Sequence, residues 1–279
     1  MKSTLTAFFL LTALFGFSQS SPQLTQAWDA YNAQKFEQCL ALLEEARGAE
    51  ALFLEGNCHQ KLGDLHAALQ CYDSAESSGC THENLHLNRG ICRLFLGMLD
   101  PAEQDLKRQL RDDPQNERAL YFMAQLNYER YESTASMDYL ERCLVVNPDN
   151  TDALFLQGGN YVDNDQWELA ANAFQEVLSI DPEHGPAQKA LAQVLLFQND
   201  PTFALEILEE LQPQTDAERA EVAFFQAEAH YLLHHNEQAC KLWTLSAELG
   251  DKDAQRNLTN ICEKGKEKLR RKRLTRMEL

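Results

Sequence analysis

The chain has 279 residues, of which 44% are hydrophobic and 24% are charged, so it holds enough apolar material to bury a core. Its formal net charge of −18 argues against a nucleic acid as partner, because phosphate binding requires a basic surface. The sequence contains no nucleophile elbow, no phosphate-binding glycine loop and no dinucleotide-binding fingerprint. We therefore expect a globular protein that is not an enzyme and has no cofactor.

Residues 1–20 have the pattern of a secretory signal peptide. Lys2 supplies a positive start, an apolar run covers residues 5–17, and small residues follow at 18–20. The run is shorter than the roughly 20 residues that a membrane-spanning helix needs. We expect this segment to be removed and the mature protein to be soluble, in the bacterial periplasm or outside the cell. The alternative is an N-terminal helix that caps the first repeat.

Residues 21–262 repeat with a spacing of about 34 residues. The stretch 151–182 shows the unit: two runs with helical apolar spacing, a break at 164–166, and a stop at an Asp-Pro pair. Prolines stop three units, at Pro114, Pro148 and Pro182. Small residues recur in the first run at Gly56, Gly90, Ala124, Gly158, Ala192 and Ala227. The second run repeats a small series, Ala68, Ala102, Ser136, Ala170, Ala204 and Ala239, and a large one, Tyr72, Leu106, Leu140, Phe174, Leu208 and Trp243.

The period, the paired small residues and the Asp-Pro stop resemble the tetratricopeptide repeat (TPR) family. The resemblance implies an all-α fold, a right-handed α-solenoid of about seven stacked antiparallel helix pairs. Residues 253–262 have helical apolar spacing and no partner helix, and solenoids need a terminal cap, so we expect a C-terminal capping helix there. Residues 248–255 also resemble the Sel1-like variant of the family.

The resemblance also implies a binding groove, because first helices line the concave surface in TPR proteins. The residue three positions before the mid-helix small residue then points into the groove; this series is Phe53, Leu87, Tyr121, Phe155, Lys189 and Phe224. About two turns later, Leu94, Phe95, Tyr128, Phe197 and Tyr231 widen the apolar strip, and Glu129, Asp152, Asp163 and Glu228 form an acidic rim. We predict that the groove holds a basic or apolar peptide segment. The alternative is that these side chains pack between repeats.

Two histidine clusters have the spacing of metal ligands. His82-Glu83-x-x-His86 matches the motif in which two histidines bind zinc and the glutamate acts as general base. The repeat register runs through this motif, so we expect no metal there and keep a zinc-dependent hydrolase as the alternative. His230 and His234 are one helical turn apart in the seventh unit, and two imidazoles on one face can share a metal. We expect a solvated turn instead.

Eight cysteines in an exported chain raise the question of disulfides. Cys58 and Cys92 occupy equivalent positions in adjacent units, which places them too far apart for a bridge. Better candidates lie on the second helix of one unit and the first helix of the next, namely Cys71 with Cys92 and Cys240 with Cys262. The alternative is that cysteines fill small apolar positions of the core, as for Cys39, Cys58 and Cys143.

The last 17 residues, 263–279, carry eight basic and three acidic side chains. This basic tail is a candidate contact for an anionic membrane surface or an acidic partner, and the alternative is a solvated extension of the last helix. Together these features predict a non-enzymatic scaffold or adaptor in the bacterial cell envelope that binds a protein or peptide. A purely structural spacer is the alternative. The sequence leaves the partner and the oligomeric state open.

Overall fold

The computed structural model describes residues 22–46 and 48–263. Within these residues all regular secondary structure is helical, and there is no strand. None of the helices described is long and apolar enough to serve as a membrane span. The predicted signal peptide and all of the predicted basic tail except Glu263 lie outside the described residues.

Seven helix pairs and a short terminal segment follow one another along the chain. Their bounds are α1 (Pro22–Asn32) and α2 (Phe36–Leu43), α3 (Ala49–Lys61) and α4 (Leu65–Ser77), α5 (Leu85–Phe95) and α6 (Leu99–Asp112), α7 (Glu117–Glu129) and α8 (Ser133–Val146), α9 (Thr151–Asp163) and α10 (Trp167–Ile180), α11 (Gly185–Phe197) and α12 (Pro201–Glu210), α13 (Asp216–Leu232) and α14 (Asn236–Glu248), α15 (Lys252–Asn257) and a π-helical turn (Leu258–Glu263). The chain divides into two compact bodies, residues 1–109 and 110–279. The predicted all-α fold of seven helix pairs is confirmed.

Each pair is held together by a small residue of its first helix and a large residue of its second. A Cβ added at Gly56 would lie 2.6 Å from the Tyr72 ring, and one at Gly90 would lie 3.1 Å from Leu106 Cγ. The small residue therefore lets the two helices approach closely enough for the large side chain to fill the space between them. All three predicted series are buried at every described position, which confirms their role in the core.

The turn within each pair has one residue in the left-handed region at the same place in the repeat. The seven residues are Gln34, Gly63, Gly97, Tyr131, Asp165, Asn199 and His234. The following N–H donates to a carbonyl five residues back, as from Asp64 to His59 at 2.9 Å, which is the closure of a Schellman motif. Only two of the seven are glycines, so residue type alone does not reveal this series.

Helix starts and stops explain the regular length of the units. The predicted stops at Pro114, Pro148 and Pro182 all fall between one pair and the next. Asparagine caps begin two of the following helices: Asn116 accepts a hydrogen bond from the Ala119 N–H, and Asn150 does the same for α9.

The predicted capping helix at 253–262 is shorter than expected. The α-helix α15 ends at Asn257, and a π-helical turn continues to Glu263. Ala254 and Cys262 are buried in one cluster with Trp243 of α14, so the segment does cover the end of the last pair.

Candidate partner-binding face

The first helices of the second body carry the predicted row Tyr121, Phe155, Lys189 and Phe224. All four side chains are partly buried. Lys189 Nζ lies 2.7 Å from Glu221 Oε2, which joins α11 to α13. At the equivalent place two pairs earlier, burial and then the charge of Asp152 raise the pKa of Tyr121 to about 12. The row therefore lies where consecutive first helices meet, with acidic side chains beside it.

A second aromatic position lies farther along the same helices. The Tyr128 pKa is raised to about 12, first by burial and then by a hydrogen bond with Asp163. This contact links the end of α7 to the end of α9. The predicted rim residues Glu129, Asp152 and Asp163 are all exposed. Acidic groups therefore lie near both ends of the Tyr121–Tyr128 strip.

The last two predicted aromatics of the second body are exposed, and each contacts a tryptophan of a second helix. Phe197 is 72% exposed and its ring lies 4.8 Å from that of Trp167 at the start of α10. The Tyr231 ring lies 5.5 Å from that of Trp243. Both residues lie near the turn within their helix pair, and their place in a widened apolar strip stays a prediction.

The groove prediction is wrong for three residues of the first body. Phe53 and Leu87 are each 1% exposed, and Leu94 is 5% exposed. The Phe53 ring is covered by His82, with centroids 4.0 Å apart, and also contacts Tyr72. These side chains fill the core between helices, which was the alternative interpretation. Phe95, by contrast, is 56% exposed, as predicted.

The rim prediction also fails at Glu228. The side chain is partly buried and accepts a hydrogen bond of 2.7 Å from Asn257 Nδ2 of α15. Burial raises its pKa, although this hydrogen bond opposes the shift. Glu228 therefore attaches the terminal segment to α13.

The His82-Glu83-x-x-His86 motif does not have the geometry of a zinc site. His82 lies before α5 begins, its ring stacks on Phe53, and its Nδ1 accepts a hydrogen bond from the Asn84 N–H. His86 lies on α5, and its Nδ1 is 3.7 Å from Asp105 Oδ1. The zinc motif requires both histidines one turn apart on a helix, so the hydrolase alternative has no structural support.

His86 belongs instead to a buried ionic cluster between α4, α5 and α6. Arg89 donates to both carboxylate oxygens of Asp105 at 2.8 Å, and Arg93 donates to the same carboxylate at 2.7 Å. Both guanidinium groups also reach Asp73, and Arg89 donates to Glu76. Burial alone would lower the Arg89 pKa, but the hydrogen bonds that Arg89 donates to Asp105 and Glu76 raise it. The hydrogen bond from Arg89 is the main cause of a lowered Glu76 pKa.

The second histidine cluster is arranged differently from the prediction. His230 is near the end of α13, and its Nδ1 lies 3.4 Å from Nδ1 of His235. His234 occupies the left-handed turn position, with φ of 62°, and so does not share a helical face with His230. The interpretation that places His230 and His234 on one helical face is therefore wrong, whereas His234 lies in an exposed turn, as expected.

One of the two candidate disulfides is present. Cys240 and Cys262 form a bridge with their Cα atoms 5.9 Å apart, which joins α14 to the π-helical turn. Cys71 and Cys92 are free, because Cys71 faces α3 of its own pair while Cys92 is buried in a cluster with Leu85. Cys58 is also free and buried, as expected for a small core residue.

Comparison with known proteins supports the tetratricopeptide repeat. Two family models, each described as tetratricopeptide repeat, match residues 49–77 and 161–233. The first match coincides with α3 and α4, and the second begins within α9 and ends just after α13. The repeats predicted from the 34-residue period are therefore recognised in both bodies.

Solved structures show the same fold at low sequence identity. A tetratricopeptide repeat protein from Parabacteroides merdae is 16% identical, with 85% of this chain and 96% of that chain covered and a TM-score of 0.60. PilF from Pseudomonas aeruginosa is 13% identical, with 76% and 96% covered and a TM-score of 0.65. The C-terminal part of a TPR repeat-containing protein from Cytophaga hutchinsonii is 14% identical, with 84% and 99% covered and a TM-score of 0.64.

Proposed function

We propose that this chain is a non-enzymatic protein-interaction module that holds a segment of another protein on the first-helix face of its second body. The observation that carries the proposal is the repeated junction between first helices. Tyr121 lies beside Asp152, and Lys189 pairs with Glu221 at the equivalent place two pairs later. Partly exposed side chains thus recur at one place in successive repeats, which suits an extended or helical segment that makes several small contacts.

The chemistry of this face favours a partner segment with apolar and basic side chains. Tyr121 and Phe155 offer aromatic surface, whereas Glu129, Asp152 and Asp163 are exposed acids on the same helices. Aromatic anchors supply most of the binding energy in such contacts, and surrounding charges mainly set specificity and the rate of association.

Charge reversal tests this face at exposed residues, and circular dichroism checks that loss of the Asp163–Tyr128 hydrogen bond leaves the helices intact. Candidate partners are first captured from native lysate with the wild-type protein, and the strongest one is then purified for binding measurements. The double variant Asp152→Lys/Asp163→Lys should weaken that binding at least about tenfold, since like charges then oppose a basic segment. Asp138→Lys on α8 is the matched control, because it is exposed on a second helix. An equal affinity for the double variant and the wild type would contradict the proposal.

A structural spacer that contacts partners through its second helices is the second candidate. Val145 at the end of α8 is 76% exposed, and an open cavity of about 670 Å³ beside it is lined by Tyr139 and Pro114. The spacer function is correct if Val145→Asp and Asp138→Lys abolish partner binding while the double variant Asp152→Lys/Asp163→Lys does not.

We also propose that the protein is exported to an oxidising compartment of the envelope. The signal-like pattern of residues 1–20 and the Cys240–Cys262 bridge support this, because stable disulfides are typical of such compartments. Mass spectrometry of the protein from fractionated cells should find a mature N-terminus near residue 21. Recovery of the full chain from the cytosolic fraction alone would contradict it. The Sel1-like character of residues 248–255 stays a prediction.

A further inference from the structure

Three side chains of different ligand types meet between α3 and α4 in the first body. Glu55 and His59 are one helical turn apart on α3, so they share a face. Cys71 lies opposite them on the antiparallel helix α4 and is a free thiol. A carboxylate oxygen, an imidazole nitrogen and the sulfur atom all lie within 4.8 Å of one another.

This arrangement is close to the size of a metal site. Zinc binds sulfur at about 2.3 Å and nitrogen or oxygen at about 2.0–2.2 Å, so tetrahedral ligand atoms are about 3.3–3.8 Å apart. The three ligand atoms are at most 4.8 Å apart, so roughly 1 Å separates the observed arrangement from that spacing. All three residues are partly buried, which limits competition from water while leaving access from solvent.

We infer that Glu55, His59 and Cys71 form a binding site for one divalent transition-metal ion, with zinc the ion that this donor set suits. Thiolate and imidazole ligands select zinc over magnesium or calcium, which prefer oxygen. Three protein ligands leave a fourth position for water or for a group from a partner. The inference does not rest on the proposed function, because the face described above belongs to the second body.

Hydrogen bonds beside the three ligands hold α3 and α4 in a fixed relative position. Tyr72, the residue after Cys71, donates a hydrogen bond of 2.7 Å to Asn57 Oδ1 on α3. Its hydroxyl is also 2.9 Å from Gln60 Oε1, next to His59 in the sequence. Such contacts beyond the ligands fix the geometry of a metal site before the ion binds.

The local charge also favours a cation. The carboxylates of Glu55 and Asp64 both lie close enough to the Cys71 sulfur to act on it electrostatically. The carboxylates that oppose a thiolate would attract a divalent ion, and a bound ion would displace the thiol proton.

Cobalt and zinc titrations of the full-length, reduced and chelator-treated protein test the site. We expect one equivalent of Co²⁺ to bind with a thiolate-to-metal charge-transfer band, and Zn²⁺ to displace it. Cys71→Ser should remove the band. His59→Gln and Glu55→Gln keep the thiol, and each should weaken Zn²⁺ binding by more than about a hundredfold, because loss of a ligand exceeds the 10–100-fold effect of outer contacts.

Two variants outside the site serve as controls. Cys80→Ser removes another partly buried thiol, and His66→Gln removes an exposed histidine of α4. Both should keep one equivalent of metal with unchanged affinity. Circular dichroism identifies any variant that has lost its helices, in which case the other two ligand variants decide. A band that persists in folded Cys71→Ser, equal Zn²⁺ affinity in His59→Gln and wild type, or no stoichiometric binding to the wild type would overturn the inference.

Discussion

Gly158 and Phe174 are in such close contact that not even a methyl group fits between them: a Cβ at Gly158 would lie 2.8 Å from Phe174 Cδ1. Gly158→Ala should therefore destabilise the protein, although alanine favours helices. Overpacking a core costs about 1–3 kcal/mol, whereas the gain in helix propensity is at most about 1 kcal/mol. Urea unfolding should show a net loss of about 1–2 kcal/mol.

The next residue provides the control. A Cβ at Gly159 would meet nothing closer than the Tyr128 hydroxyl at 3.6 Å. Gly159→Ala should be neutral or stabilise by up to about 1 kcal/mol. If Gly158→Ala and Gly159→Ala have equal stability, close packing against Phe174 does not explain why a small residue stands at position 158.

Tyr131 is the least suitable residue for its place in the repeated turn. Its φ is 60° and its side chain is 94% exposed, so it bears the strain of the left-handed region with little packing in return. Tyr131→Gly should raise the free energy of unfolding by about 0.5–1 kcal/mol, because relief of about 1–2 kcal/mol of strain exceeds the entropic cost of glycine. Gly97→Ala, at the equivalent turn, should have the opposite sign. Thermal unfolding of both variants checks the pair, and two shifts of the same sign would contradict it.

Asp105 neutralises two arginines in the buried cluster of the first body. Asp105 is 4% exposed and Arg89 is 5% exposed. Asp105→Asn keeps the shape but removes the buried carboxylate that both guanidinium groups share, so we expect a loss of about 3–5 kcal/mol, as for other broken buried pairs. The control is Glu103→Gln on the same helix, which removes a more exposed pair with Lys107 and should cost only about 0.3–0.5 kcal/mol. A loss below about 1 kcal/mol for Asp105→Asn would show that water screens the cluster.

His86 should make stability decrease on mild acidification. Burial, followed by the charge of Arg108, lowers its pKa from the ordinary value of 6.5, while Asp105 and Glu76 oppose the shift and Arg89 adds to it. The unfolded chain then takes up the proton first, so stability falls as the pH drops from 7 through 6.5 toward the lowered folded pKa.

The test is urea unfolding at several pH values between 7.5 and 5. His86→Gln cannot titrate, so its stability should change less over this range than that of the wild type. His66→Gln, at an exposed position of α4, should retain the wild-type dependence. Identical profiles for His86→Gln and the wild type would contradict the assignment.

The helix pairs could be predicted from the sequence because their contacts are periodic. Gly158 and Phe174 belong to series that recur with every unit. Once these repeating positions are aligned, the places of both helices and of the turn between them follow. The left-handed turn position was missed because its residues share a backbone conformation and not a chemical type. Tyr131 and Gly63, for example, are chemically unrelated but share this backbone conformation.

It was harder to predict whether a side chain is exposed or covered than to predict which helix it belongs to. Phe53 and Tyr121 hold the same place in the repeat, yet Phe53 is covered by the His82 ring whereas Tyr121 remains partly exposed. What covers a residue depends on its neighbour in the next unit, which the period does not specify. In the same way, the repeat places Cys71 on a second helix but does not state that it faces Glu55 and His59.

The last repeat of an array has a neighbour on one side only, so fraying is expected to start there. In this chain a covalent bond lies at that position, between α14 and the segment that ends at Glu263. Because of this bond, α14 and the π-helical turn must unfold together. An exopeptidase that digests from the C-terminal side therefore has to wait for both to unfold. Reducing conditions would remove this protection without touching any residue of the partner-binding face.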